Sequence, residues 1–211
     1  MKKIYGKIIE HYESCLEKHG DNHLGVDWPK LEDVDKRYKV MLDIIRLNEA
    51  NDHEVSLLDF GCGTAHLLAY IQHHNLQNIV YSGLDISQKF VDVAQEKYPN
   101  NSFYCVDILE AEDSLDHFDY VIMNGVFTEK RELSYAEMWD YFTKMISIIY
   151  NKCNKGFSFN VMSKNVDWER EDLFHVSHDA LSQFLCQNLT RDYVIRNDYG
   201  LYEYTVYVLK K

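Results

Sequence analysis

Apolar positions recur along the chain with two different spacings, and the change between them divides it. Tyr5, Ile8, Ile9, Tyr12, Cys15 and Leu16 are spaced as one face of a helix. Gly20 is placed to end that helix, and a polar loop, HGDNHLGVDWPKLED, follows. A second helix is predicted from about Asp33, with Val34, Tyr38, Met41, Leu42 and Ile45 on one face. From residue 55 onward, short apolar runs alternate with helical stripes. VSLLDF (55–60) is almost wholly apolar, as a strand covered on both faces should be. After it come a predicted helix 64–73, strand 79–84, helix 87–98 with Ser87 as N-cap, strand 102–106, strand 118–123 and helix 134–150. In the last of these, Tyr135, Met138, Trp139, Phe142, Met145, Ile146 and Ile149 form one stripe. Strand 156–162, helix 178–188 and strands 191–196 and 201–209 complete the series.

Strands interleaved with helices predict an α/β fold: a mostly parallel sheet of seven strands with helices on both faces. Only residues 197–200 join the last two strands. That link is too short for a parallel crossover, so the final strand is expected to be antiparallel. The expected organisation is an N-terminal helical lid, residues 1–50, over a core, residues 51–211, in one compact domain. The tripeptide VDW occurs at 26–28 and 166–168, which is too little shared sequence to make a repeat.

Composition narrows the partners. The 211 residues carry a formal charge of −12 and no run of lysines or arginines, which argues against a nucleic-acid partner. The five cysteines (Cys15, Cys62, Cys105, Cys153, Cys186) are single, without a CxxC pair, so neither a metal site nor a dithiol is expected. Reduced thiols, an N-terminus without a signal-peptide core and no stretch of membrane-spanning length lead to the expectation of a cytoplasmic protein away from membranes. Oligomeric state is not legible.

The chemistry concentrates at predicted strand ends, where open parallel sheets bind ligands. The first strand ends in Asp59-Phe60-Gly61-Cys62-Gly63-Thr64-Ala65. Its glycines permit a tight turn and close backbone approach, and the following helix presents free N–H groups. A nicotinamide-binding G-x-G-x-x-G turn would need a third glycine where His66 stands. Asp59, just before the turn, would repel a pyrophosphate but can accept from an amino group. S-adenosylmethionine has that amino group and no phosphate. The second strand ends in Asp85-Ile86, and Asp85 stands 24 residues after Gly61, where a carboxylate can accept from both ribose hydroxyls. The third ends in Asp107-Ile108, an acceptor for an adenine amino group beside an apolar surface for the ring. The fourth ends in Asn124-Gly125-Val126-Phe127, with backbone exposed beside the reacting group.

Asp59-x-Gly61-x-Gly63, Asp85, Asp107 and the antiparallel last strand, in this order, resemble the class I S-adenosylmethionine-dependent methyltransferase family, of the small-molecule type. The resemblance covers roughly the C-terminal three-quarters of the chain. It implies the Rossmann-like fold of that family and cofactor contacts from Gly61, Gly63, Asp85, Asp107 and Ile108, with Cys62, Ile86, Asn124 and Gly125 alongside. Ala65 stands where many members have a third glycine. Similar members use an arginine in the position of Arg37 to grip the methionine carboxylate; a solvated helix face is an equal reading of it.

Candidates for the acceptor side follow from the predicted mouth. Trp28, Phe127, Asn160, Lys164, Tyr199 and Tyr202 are candidates to line an acceptor pocket, with Trp168 beside them; core or edge packing competes for the tryptophans and tyrosines, and a solvated loop position for Lys164. An oxygen acceptor needs a base, for which His23 and His175, and less so His66, are candidates against ordinary surface roles. Cys62, near Asp59, reads as a packing residue rather than a nucleophile. The fourth strand end lacks an NPPY-like tetrapeptide, which speaks against methylation of nucleic-acid bases. The expectation is methyl transfer to an oxygen or nitrogen of a small molecule. Fold-level analogy extends this to enzymes that methylate sugars, sugar nucleotides or nodulation-type oligosaccharides. A nicotinamide-dependent oxidoreductase and a non-catalytic protein retaining the fold stay open.

Overall fold

The computed structural model describes residues 5–48 and 53–210. The boundary expected between residues 50 and 51 lies outside the described residues. Among the described residues, eight strands form one sheet: β1 (Val55–Phe60), β2 (Ile79–Asp85), β3 (Ser102–Cys105), β4 (Phe118–Phe127), β5 (Cys153–Ser163), β6 (His175–Val176), β7 (Tyr193–Arg196) and β8 (Glu203–Leu209). Their order is β3-β2-β1-β4-β5-β8-β7, with the short β6 paired to the end of β5. β8 runs antiparallel to both β5 and β7, and the remaining pairings are parallel. The sheet thus contains one strand more than expected, since the two-residue β6 is too short to carry a period. The strand order reverses between β1 and β4, the position where such sheets open a crevice.

Side-chain alternation along the strands builds two cores. Leu57, Tyr120, Ile122 and Tyr207 pack with α2 (Val34–Asn48) and α3 (His66–His73). Leu58, Val121, Met123 and Phe159 pack on the opposite face with α5 (Tyr135–Lys152), α6 (His178–Asn188) and the start of α1 (Gly6–His19). Helix α5 starts at a capping box in which Ser134 and Glu137 satisfy each other's backbone N–H groups. Ser87 occupies the N-cap position of α4 (Gln88–Lys97) but makes no cap bond. Its hydroxyl donates instead to Glu13 Oε1 at 2.6 Å, tying α4 to α1.

Strand β4 runs on to Phe127, four residues past the expected end, because it continues through a bulge. Its register with β5 shifts between Met123 and Phe127. Gly125 there holds φ 81°, and a Cβ at that position would lie 3.5 Å from the Trp28 indole nitrogen. Asn124, Gly125 and Val126 are thereby turned into the crevice.

Candidate active site

A chain of buried polar bonds fixes this bulge. Asn160 Oδ1 accepts from the Gly125 N–H at 2.8 Å, and its Nδ2 donates to Glu203 Oε1 at 3.0 Å. Arg37 Nε donates to both oxygens of Glu203, at 3.0 and 3.1 Å. Four elements (α2, β8, β5 and β4) are thus linked, with Glu203 only 3% exposed at the centre. Lone polar residues in apolar strands were the available signal: Glu203 in EYTVYVL and Asn160 in FSFNVM. Arg37 stacks over Trp28 at 5.3 Å.

The cavity at the carboxyl ends of the strands is bounded by Asp59, Gly61, Cys62 and Gly63 from β1 and its turn. Asp85 and Ile86 follow from β2, Asp107 and Ile108 from the loop after β3, and Asn124, Gly125 and Val126 from β4. Tyr5, at the N-cap of α1, and Ile8, Ile9 and Tyr12 within it cover it together with Val26 and Trp28, and Tyr141 and Met145 of α5 reach it from the side. Among the described residues, its lining includes three aspartates and neither lysine nor arginine.

Each aspartate is held differently. Asp85 accepts from the N–H groups of Gly63 and Ser87, both at 2.9 Å, which shapes the turn around it. Burial raises its carboxyl above the ordinary range despite those bonds. Asp107 accepts from the Tyr5 hydroxyl and from the Leu109 N–H at 3.2 Å. Tyr5 therefore already occupies the carboxylate that the sequence offered to an adenine amino group. Asp59 is 4% exposed and accepts from Tyr81 at 2.7 Å. Burial pushes its carboxyl up to about 7, with Asp85 adding to the rise and the Tyr81 bond opposing it. Because this folded-state value lies above the unfolded one, Asp59 favours folding most at low pH and progressively less as pH rises through it. Asp59→Asn should therefore gain stability relative to wild type between about pH 4 and about pH 7. Thermal unfolding of both proteins across that range measures the gap, and a gap that stays constant would sink this reading.

At the turn, Gly61 holds φ 74°, and a Cβ there would meet a Val126 methyl at 2.7 Å. His66 Nε2 lies 2.7 Å from Asp21 and 3.0 Å from the Thr64 hydroxyl, and Lys97 Nζ lies 2.7 Å from Asp21. This network fastens loop 20–28 to the turn. The Cys62 thiol is pushed up by burial, then by Asp85 and Asp59, as suits a packing residue.

The acceptor-side candidates do not converge. Trp28 lines the cavity. Phe127 is fully buried, edge-on to Phe142 at 5.0 Å, so its ring belongs to the core. Asn160 spends both amide atoms on the clamp. The Tyr199 hydroxyl pairs with Thr205 at 2.9 Å, Tyr202 is 64% exposed and Trp168 is 73% exposed. Lys164 borders a separate open groove shared with Tyr135, Arg170 and His175. His175 accepts the Arg170 N–H at Nε2 (3.2 Å), so its Nδ1–H donates to the Ser163 carbonyl at 2.6 Å. With both nitrogens engaged, it has no lone pair for proton abstraction. His23 Nδ1 sits 2.6 Å from the Trp28 carbonyl and holds the loop. Tyr5, Tyr12 and Tyr141 line the cavity although the sequence assigns them to no site; the helical spacing of Tyr5 and Tyr12 reads as an ordinary core stripe.

Comparison with known proteins agrees with this geometry. The family described as "Methyltransferase domain" matches residues 58–145, the stretch from β1 into α5. Over that stretch the chain is similar to methyltransferase domains. Rv1506c of Mycobacterium tuberculosis, a protein bearing the name of a methyltransferase, is 27% identical over 160 residues, covering 74% of this chain and 93% of its own. The fold matches that of magnesium protoporphyrin IX methyltransferase from Synechocystis PCC 6803 with bound SAM: TM-score 0.60, 15% identity, 96% of this chain and 91% of that one. It also matches the plantazolicin methyltransferase BpumL in complex with SAH: TM-score 0.66, 13% identity, 99% of both chains. Among the described residues, no helix is long and apolar enough to cross a membrane.

Proposed function

We propose that this protein transfers the methyl group of S-adenosylmethionine to an oxygen or nitrogen of a small-molecule acceptor, with the strand-end cavity as its cofactor site. The observation that carries the cofactor assignment is the charge of that cavity, whose lining among the described residues includes three aspartates and neither lysine nor arginine. A pyrophosphate would meet like charge there, while a sulfonium and an ammonium meet opposite charge. The unpartnered Asn124 side chain supplies a second test of fit. Both its amide atoms are buried without a hydrogen-bond partner among the described residues. Leaving such atoms unpaired costs about 1–3 kcal/mol each, which a polar ligand in the cavity would recover.

In this reading Asp85 accepts from the ribose hydroxyls, Ile86 and Ile108 pack on the adenine, and Asp59 and Asn124 face the amino-acid end. Asp107 answers the adenine only if Tyr5 yields its bond. The cofactor supplies an electrophilic methyl group, so the protein's part is to orient the acceptor and exclude water. Tyr12 and Trp28, next to Gly125, are placed to do this from the lid. The structural neighbours are named as methyltransferases of magnesium protoporphyrin IX and of plantazolicin. They support a small or medium-sized organic acceptor, and a sugar remains the fold-level analogy made from the sequence. Titration calorimetry tests the cofactor assignment. S-adenosylhomocysteine should bind saturably at one site, and NADH should give no binding heat. The reverse pattern would overturn the proposal.

A further inference from the structure

The lid carries a donor cluster that none of the roles above uses. His11 and Cys15 stand one turn apart on α1, on one face of the helix. Asp27 approaches them from loop 20–28, with its backbone at φ 57°. His11 Nε2 lies 2.7 Å from Asp27 Oδ2 and 3.9 Å from Cys15 Sγ, and the three donor atoms fall within 4.8 Å of one another. We propose that His11, Cys15 and Asp27 form a binding site for a divalent cation of the zinc class, which pins the lid helix to the loop that covers the cofactor cavity.

The donor set selects the ion. Imidazole nitrogen, thiolate sulfur and carboxylate oxygen together suit a borderline cation such as Zn2+ rather than Mg2+ or Ca2+. Bond lengths of about 2.0–2.3 Å in a tetrahedral shell place ligand atoms roughly 3.3–3.6 Å apart. The observed separations bracket that spacing, so small side-chain rotations bring all three onto one centre. On binding, the Cys15 thiol proton passes to solvent, and the imidazole proton resides on Nδ1 so that the Nε2 lone pair meets the ion. The charges acting on Cys15 are mixed: Asp27 and Glu129 favour a cation, and Arg131 and Lys18 oppose it. Three protein ligands leave a fourth position for water, as in open zinc sites. The site escapes a search for paired cysteines, because its one thiol is joined by a histidine four residues on the N-terminal side and an aspartate twelve residues further along the chain.

The consequence is coupling. Tyr5 at the N-cap of α1, Ile8, Ile9 and Tyr12 within it, and Val26 and Trp28 of the loop cover the cavity from two sides. An ion that joins these two elements favours the closed lid, and by linkage the ion and a ligand beneath the lid strengthen each other. This coupling rests on the cofactor reading above; the metal site itself does not.

The experiment uses the reduced full-length protein, stripped with a chelator and titrated with Co2+. One equivalent should produce visible bands of a four-coordinate centre and a thiolate-to-cobalt charge-transfer band, both abolished by Zn2+. Cys15→Ser should remove the charge-transfer band, and His11→Ala should weaken binding by at least tenfold. Thermal unfolding of the metal-free variants checks that each folds. Loss of the bands in neither variant would overturn the site, as would the absence of bands in wild type. With Zn2+ bound, S-adenosylhomocysteine should bind at least about fivefold tighter. Unchanged affinity would overturn the coupling. Cobalt bands in a protein that never binds S-adenosylhomocysteine would instead uphold the site and refute the cofactor reading.

Discussion

Arg37→Ala should destabilise the fold by about 3–5 kcal/mol, because it strands a buried carboxylate. Glu203 is 3% exposed and takes three hydrogen bonds from two partners, Arg37 and Asn160. Removing the guanidinium leaves one amide donor against a full negative charge. Chemical denaturation of wild type and variant gives the difference directly. A loss below about 1 kcal/mol would mean the pair behaves as an exposed ion pair, and the clamp would then have no energetic reality. The partner variant Glu203→Gln separates charge from shape. Replacing both residues, Arg37→Met with Glu203→Gln, should recover most of the lost stability, since a buried pair is often matched by neutral side chains of similar size.

The same variants decide what Arg37 is for. The family resemblance offers it to the methionine carboxylate, whereas in the structure its Nε serves Glu203. If the clamp is its role, loss of stability and loss of S-adenosylhomocysteine affinity should appear together, with affinity falling because the Gly125 bulge is released. A stable Arg37→Ala protein that has lost only its affinity would return the residue to the carboxylate.

What could be read from the sequence divides along the same line. The strand and helix series was legible because each element has its own period, and the strand-end residues that line the cavity because they recur at fixed spacing. Asp59, Gly61, Gly63, Asp85 and Ile108 all line one cavity in the structure. The contacts between distant elements were not legible. Nothing local indicates that Tyr5 bonds Asp107 across 102 residues, or that Asn160 accepts from the Gly125 N–H. Ser87 has the composition of an N-cap, yet Glu13 takes its hydroxyl. In each case a polar group found a tertiary partner that outbid its local one. The β4 bulge was missed because four residues with one glycine read as a strand end, although they continue as a strand with shifted register. Acceptor residues were the least legible, since aromatic side chains pack in cores and line pockets with the same spacing.

Asp85→Ala is the variant that most directly tests the cofactor site, and its expected effect is on binding more than on folding. A carboxylate that accepts hydrogen bonds from a ligand contributes about 1.5–3 kcal/mol, so S-adenosylhomocysteine affinity should fall about 10- to 150-fold. The wild-type carboxylate also holds the Gly63 and Ser87 N–H groups. Part of the loss would therefore come from a loosened turn, and Asp85→Asn resolves this. An amide oxygen can still accept from one of those N–H groups, but asparagine lacks the charge and the second acceptor. Burial holds the Asp85 carboxyl above its ordinary range, so neutralising it removes a desolvation cost. Asp85→Asn should accordingly unfold at a temperature no lower than wild type while binding S-adenosylhomocysteine much more weakly. Weak binding with preserved stability identifies Asp85 as a ligand acceptor. Full affinity in a folded Asp85→Ala protein would mean that the cofactor lies elsewhere, and the acidic cavity would need another occupant.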